Sequence, residues 1–514
     1  MNPDSSPVGE RAPFPPALRS RNPIRWLAIF GPGAVIASLT IGVGELVFSS
    51  RAGAIFGYRV LWFFVLVLLL KWVLVFGSAR HIVLTGAHPF QRWMELPGPR
   101  GWLPLVFFLL AVPCFPIWVC FHAGTVGTLL SSLAGTQDML RGGAEYLWGV
   151  GVLTGVLALC AAGGYRALER IQLVIVLLML GSVAVAAVAL NPDWLGMLKG
   201  FLVPQRFEYP TWIALETHRD VASRPVWIEV TTYVGIIGGS SYDYLAYVSY
   251  LRDKQWGRAG LPPASRAELE AVSLEAAAAD RRWLRAPVVD CTLSFAAVLA
   301  FTAVFVICGA EVLGPQHKVP GGSNLLSLQA EFVTSVHPWL KHVYFAGAFL
   351  AVLGTLYGTI EVAPTILREL TESFGIHASD TLGRKLRTWS IAWVGLGGLA
   401  ILAWSFWLRY AGGMEKPPSL IAILTPANLF TGVLGCGLIC LGNEWMERRF
   451  LPSSWRATLA LRLLGAFAAV VFMALGLKAC WDHSGWLAFG ILAVTIAAGM
   501  LCASIIKRRF RGKS

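Results

Sequence analysis

Charge is what this sequence has little of. Its 42 Lys and Arg and 29 Asp and Glu make up 14% of 514 residues, against roughly 25% in an ordinary globular protein. So few ionic groups cannot solvate a soluble surface of this size. A soluble enzyme, a disordered tail protein and a nucleic-acid binder are excluded, in spite of a formal net charge of +13. There is no HExxH, no GxSxG and no Walker loop, so no enzyme chemistry is indicated, and no resident cofactor is expected. The nine cysteines lack CxxC spacing and lie in or beside apolar stretches, where they read as small apolar side chains. Cys436 and Cys440 share a helix face and would offer two soft ligands, at a spacing that is common by chance. The first 22 residues are polar and proline-rich and lack the apolar core of a secretory signal, so the first hydrophobic span is expected to remain in the membrane.

What the chain has is hydrocarbon, with 56% hydrophobic residues before its 53 glycines are counted. Apolar runs long enough to cross a bilayer fall near 27–50, 59–83, 103–132, 146–163, 171–190, 227–250, 287–312, 342–365, 388–408, 419–441, 457–479 and 485–506. Basic residues gather in alternate connections: Arg19, Arg21 and Arg25, then Arg80, Arg92 and Arg100, then seven between Arg252 and Arg285, and finally the tail KRRFRGK. The intervening segments, such as AGTQDMLRGGAE and RYAGGMEKPP, are poor in them. The positive-inside rule then predicts both termini in the cytoplasm of an inner (plasma) membrane protein, with the surplus charge available to anionic lipid. The stretch 251–286 reads as a cytoplasmic connector with a short helix introduced by Pro262 and Pro263.

Two spans are interrupted. In the first, GPGAVIASLTI is broken by Gly42-Val43-Gly44 and followed by Glu45; in the sixth, Gly238-Gly239-Ser240-Ser241 leads into Tyr242 and Asp243. Glycine weakens a helix by about 1 kcal/mol, and unwound backbone at membrane depth persists only where it lines a cavity or is packed in protein. A carboxylate at mid-bilayer costs about 2.5 to 3.5 kcal/mol even on the lenient scale. Matching breaks in two halves are the signature of an inverted-repeat transporter whose substrate sits between half-helices. Glu45 and Asp243 are the first candidates for binding a cation, with a structural acid bonded to a neighbouring hydroxyl as the competing reading. Glu361, on the eighth span, would face the centre and carry a coupling ion or proton. Asp290 would either serve coupling or cap the seventh span, and Lys71 would snorkel or pair with a carboxylate. Tyr242 would gate the site or contribute a hydroxyl.

GPGAVIASLTIGVGELVFSSRAGAIFGYRVLW (31–62) resembles the first span of the Nramp family of proton-coupled divalent metal transporters, including the leading GPG and the FGY-x-x-LW that opens the second span. GYRALERIQ (164–172) and NPDWLGMLKGFLVP (191–204) resemble the same family around its fifth span. The resemblance implies an all-α polytopic membrane protein of the LeuT type, an inverted repeat of five plus five helices with two extra C-terminal helices and about 12 transmembrane spans. On this layout residues 1–25 form an N-terminal tail, 26–190 the first repeat, 191–226 an extracytoplasmic loop, 227–441 the second repeat, 442–506 the extra helices and 507–514 the basic tail.

The sequence departs from the family at its metal site. Gly42, Val43, Gly44 and Glu45 stand where the family has Asp-Pro-Gly-Asn, and Ser240, Ser241, Tyr242 and Asp243 where it has Met-Pro-His-Asn. The acidic proton path of the third span is absent, and WVCFHAGT (118–125) offers only His122 for coupling. Glu45, Asp243, Ser240 and the Gly42 carbonyl then make an all-oxygen set suited to Mg, Mn or Ca, with Gly44, Gly239, Ser241, Tyr242 and Glu361 along the path. The expected activity is import of a divalent cation by alternating access, either with a proton as co-substrate or facilitated, since no complete proton relay can be read. The alternatives are a sodium- or proton-coupled amino-acid or amine transporter of the same fold, in which Glu45 meets an amine, and a non-transporting membrane sensor acting through 251–286.

Overall fold

The computed structural model describes residues 13–511 except 21, 30, 34–40, 163–164, 215–217, 377–378 and 413–417. Most of the N-terminal tail, the AVIASLT portion of the first span, Gly164 of GYRALERIQ and the last three residues of the basic tail therefore lie outside the described residues. Every regular element among the described residues is helical. The principal helices are α1 (Gly44–Ser49 as a wide π turn, continuing Ser50–Phe56), α2 (Leu61–Thr85), α3 (Trp102–Leu133), α4 (Ala144–Ala162), α5 (Tyr165–Ala189), α6 (Trp194–Leu202) and α7 (Val226–Ile236). After the second break come α8 (Ser241–Asp253), α9 (Arg285–Cys308), α10 (Leu340–Ser373), α11 (Asp380–Tyr410), α12 (Leu420–Asn428, continuing through Leu429–Leu434 to Gly435–Phe450), α13 (Leu459–Ser484) and α14 (Trp486–Arg511).

Among the described residues nine helical stretches are long and apolar enough to cross a bilayer, or ten with the bent pair α5–α6 counted as one. The sequence has twelve apolar runs, and the difference lies at the two interruptions. The run at 27–50 overlaps 34–40, and its described end continues into α2 as one stretch, Gly44–Thr85. The run at 227–250 is divided into α7 and α8, each too short to cross alone.

The helices sort into a centre and a periphery. The most apolar window of α12 is 83% buried, whereas those of α13 and α14 are 22% and 11% buried. Trp389, Trp393, Trp404 and Trp407 on α11, with Leu463, Val470, Leu487 and Val494 on α13 and α14, are exposed. An apolar surface of that extent needs hydrocarbon around it. The centre is built from α1, α2, α3, α7, α8, α9, α10 and α12, which bracket the breaks.

The connector 251–286 is more ordered than a solvated linker. It forms two short helices, Arg266–Glu270 and Leu274–Arg282, because Ser265 and Ser273 each accept a backbone N–H of the following turn, from Glu268 at 3.2 Å and Ala276 at 3.3 Å. Leu269 and Ala277 bury against Leu84, Leu451 and Trp455, and Arg281 donates to the Ser454 carbonyl.

Candidate functional site

The second break follows from four residues. Ile237 turns extended at the end of α7 (φ −61°, ψ 123°). Gly238 and Gly239 then take φ of +82° and +98°, a region that L side chains rarely enter. A Cβ at Gly238 would also lie 2.6 Å from Leu68 Cδ2. Ser240 returns to extended backbone and begins α8, where its N–H donates to Asp243 Oδ2 at 2.7 Å. Part of the Asp243 carboxylate is thereby spent on capping the helix, through a backbone N–H where the competing structural reading expects a neighbouring hydroxyl.

The carbonyls freed by this unwinding are occupied by donors of the chain itself. Lys71, fully buried on α2, extends its ammonium to the Ile237 carbonyl at 2.7 Å and the Gly239 carbonyl at 2.6 Å. Tyr244 donates its hydroxyl to the Gly238 and Gly239 carbonyls at 2.6 and 3.0 Å. Lys71 therefore neither snorkels nor bonds a carboxylate, although Asp243 and Glu45 are both within its electrostatic reach.

The first break differs. The Gly42 carbonyl accepts the first helical hydrogen bond, from Leu46 N–H at 3.0 Å, and the π turn of α1 carries Glu45 inward. Glu45 is completely buried, and its carboxylate oxygens have no side-chain partner and no well-formed hydrogen bond, with the backbone N–H groups of Gly42 and Gly238 turned towards them. Buried polar groups are ordinarily paired, so an orphaned carboxylate marks either a ligand's place or a strained group. Beside it, a Cβ on Gly42 would fall 2.0 Å from Thr355 Oγ1 of α10. Thr355 thus fills the space that a side chain at this position would need.

Between the breaks lies a cavity of about 40 Å³, lined by Gly44, Gly239, Ser240, Tyr242, Asp243 and His122, together with Cys114, Phe115, Trp118, Ile236, Thr355 and Thr359. The hydroxyls of Thr355 and Thr359 donate one turn back along α10, to the Ala351 and Thr355 carbonyls at 3.1 and 2.8 Å. Their oxygens remain acceptors. His122 is buried against the Trp118 ring, with Nδ1 unpartnered. The Tyr242 ring lines the cavity while its hydroxyl donates away, to the Phe107 carbonyl at 2.6 Å.

Five residues of the expected set do not line this cavity: Glu45 and Gly42, whose neighbour Gly44 is the part of the first break that reaches it, and Ser241, Glu361 and Asp290. Glu361 is a quarter exposed and pairs with Arg387. Asp290 accepts the N–H groups of Gly31 and Gly33 at 3.1 and 2.7 Å and the Tyr247 hydroxyl at 2.9 Å, so it anchors the start of the first span. Ser241 lies behind the cavity wall with its hydroxyl unpartnered, against Gly435. Among the described residues no three His, Cys, Asp or Glu side chains converge in a metal-binding group. Any cation held here would rely on carbonyl and hydroxyl oxygens in addition to Glu45 and Asp243.

Sequence reasoning did not single out Thr355, Thr359 or Cys114. It also missed the buried ion pair of Arg51 with Glu229, which joins α1 to α7. Tyr233 donates to Glu229 at 2.8 Å and Arg51 to the Pro320 carbonyl at 2.7 Å. The available signal was one charge of each sign at the edge of an apolar run, Arg51 just past 27–50 and Glu229 just inside 227–250.

The profile of a protein family described as natural resistance-associated macrophage protein-like (Nramp) matches residues 33–429. No curated protein matches. Solved structures of a manganese transporter from Eremococcus coleocola, one in complex with an aromatic bis-isothiourea substituted compound and two of point mutants, superpose with a TM-score of 0.64. Each is 14% identical to this chain, and 98% of both chains is covered. These structures have the same fold as this chain.

Proposed function

Since the chain belongs to the Nramp-like family, we propose that it is a secondary transporter that imports a divalent cation, magnesium, manganese or a similar hard ion, by alternating access. The observation that carries this reading is the small cavity between the breaks whose polar wall is Asp243, Ser240, Thr355, Thr359 and the backbone of Gly44 and Gly239, with the Glu45 carboxylate buried one residue beyond Gly44. Two carboxylates with hydroxyl and carbonyl oxygens suit a hard cation. The cavity holds about three waters, which an ion with part of its hydration shell fills and an amino acid exceeds. The ordered packing of 251–286 gives the sensor reading no free element to act through.

In this reading Glu45 and Asp243 bind the ion, and Ser240, Gly42, Gly44 and Gly239 shape the break. His122 is the group in the cavity wall available to a co-transported proton. Asp290 and Glu361 hold helices in place. The repeats are 26–190 and 227–441, with both termini in the cytoplasm of the plasma membrane. The test is uptake into proteoliposomes with Mg, Mn, Ca and Fe side by side. Glu45→Gln is expected to lower uptake by about 100-fold, the scale on which a buried charged ligand acts, and Asp243→Asn by less because its carboxylate is already shared with the helix cap. Unchanged flux in both variants would remove this site assignment.

A further inference from the structure

We infer that Lys71 is a tethered cation seated on the carbonyls of the second break, and that an entering divalent cation binds by displacing its ammonium. The inference rests on the metal-transport reading and adds to it a residue that sets affinity and ion charge. Backbone carbonyls released by an unwound helix are natural ligands for a hard cation, and here two of them are filled at 2.7 and 2.6 Å by a single buried ammonium. The partner choice is informative. Glu45, whose carboxylate has no side-chain partner and is faced by the backbone N–H groups of Gly42 and Gly238, lies within electrostatic reach of Lys71, yet the ammonium is directed at the Ile237 and Gly239 carbonyls. A lysine placed only to neutralise a buried acid would bond that acid. One placed to hold a cation's position would bond what the cation bonds.

The charge balance has consequences. With both carboxylates ionised, the ammonium reduces two negative charges to one, which disfavours a divalent ion as long as it stays. A divalent ion that takes over the carbonyls moves the ammonium away and meets the full double charge. A monovalent ion gains half as much from the exchange. Lys71 thereby favours the divalent ion and supplies an internal competitor that returns to its seat after release. Tyr244, donating to the Gly238 and Gly239 carbonyls, holds the unwound segment in register during the exchange.

The test is equilibrium Mn²⁺ binding to the full chain in nanodiscs, read from the spectrum of free Mn²⁺. Lys71→Met is expected to bind Mn²⁺ about tenfold more tightly or better, because a unit charge is removed from a low-dielectric site, and Lys71→Arg to bind no more tightly than the wild type. Net uptake by Lys71→Met should fall as release slows. A purely structural lysine would give weaker binding on replacement. Equal or weaker Mn²⁺ binding by Lys71→Met, with binding by the wild type intact, overturns the displacement role alone. Absence of Mn²⁺ binding from both proteins overturns the metal reading and this inference with it. A second measurement needs no variant: in a structure of the wild type with Mn²⁺ bound, the ammonium should have left the Ile237 and Gly239 carbonyls, and an ammonium still seated on both overturns the displacement.

Discussion

The two helix breaks carry opposite deficits. At the first, an acceptor lacks a side-chain donor: Glu45 is buried with only backbone N–H groups turned towards its carboxylate. At the second, the freed carbonyls have donors supplied from α2 and α8 by Lys71 and Tyr244. A site complete in itself would need no substrate, and a site open on both sides would be costly to fold. In the proposed transport reading, one open half and one provisionally filled half would give a backbone that is stable when empty and still has a place for a cation. Similar sequence patterns, glycines followed by an acid, have been put to different physical uses.

Three experiments probe that asymmetry, in decreasing order of effect. The largest concerns the tie between the halves. Arg51, past the first break, is paired with Glu229, ahead of the second, and both are buried. Arg51→Met takes away the cation bonded to Glu229, leaving it Tyr233 and the more distant charge of Arg224, and is expected to cost about 3 kcal/mol, read as loss of thermal stability in detergent, whereas the double replacement Arg51→Met/Glu229→Gln should recover most of it. If the single variant melts like the wild type, the two breaks are not held together by this pair.

A smaller effect is expected at Gly42. A methyl there meets Thr355 Oγ1 at 2.0 Å, so Gly42→Ala should destabilise by about 1 to 3 kcal/mol. Thr355→Ala removes the clashing atom, and a double-mutant cycle should return a coupling of about 1 kcal/mol or more. Additive melting shifts would mean that Thr355 does not fill the space beside the first break.

The smallest effect lies outside the membrane, where His88 steadies the helix that follows the second break. Its Nε2 contacts the Leu245 carbonyl at 3.1 Å, and its Nδ1 accepts the Phe90 N–H at 3.2 Å. Burial holds the imidazole below its ordinary value, outweighing the Glu369 carboxylate nearby. The folded state therefore prefers neutral His88, and its contribution is present above the unfolded value of about 6.5 and is lost as pH falls below it. The melting temperature should drop between about pH 7 and pH 5, with a shallower slope in His88→Gln. An identical slope would remove His88 from the account.

Composition was enough to give the all-helical, lipid-embedded class, because the shortage of charge is a global property. The breaks were legible as well, because Gly238-Gly239-Ser240 must satisfy backbone rules at that depth whatever surrounds them. Partnership was not legible. Lys71 stands more than 160 positions from the carbonyls it bonds, and nothing in its neighbourhood on α2 distinguishes it from a lysine reaching for the surface. The same holds for Glu361, whose spacing suggested the centre until Arg387, on the next helix, claimed it. Thr355 was invisible for another reason: its role is to occupy volume at Gly42, and a volume has no sequence pattern.

The bend between α5 and α6 also bears on how the protein sits in its membrane. The chain turns by 113° between Val176–Ala189 and Trp194–Leu202, so with α5 upright in the bilayer α6 runs close to the membrane plane. Asp193 caps its start by accepting the Gly196 N–H at 2.9 Å, and Leu195, Leu198 and Leu202 present uncovered hydrocarbon along it. Its other face is held to the protein where the buried Gly200 packs against the Tyr58 backbone, so the hinge at 190–193 ties the end of α5 to the turn that precedes α2.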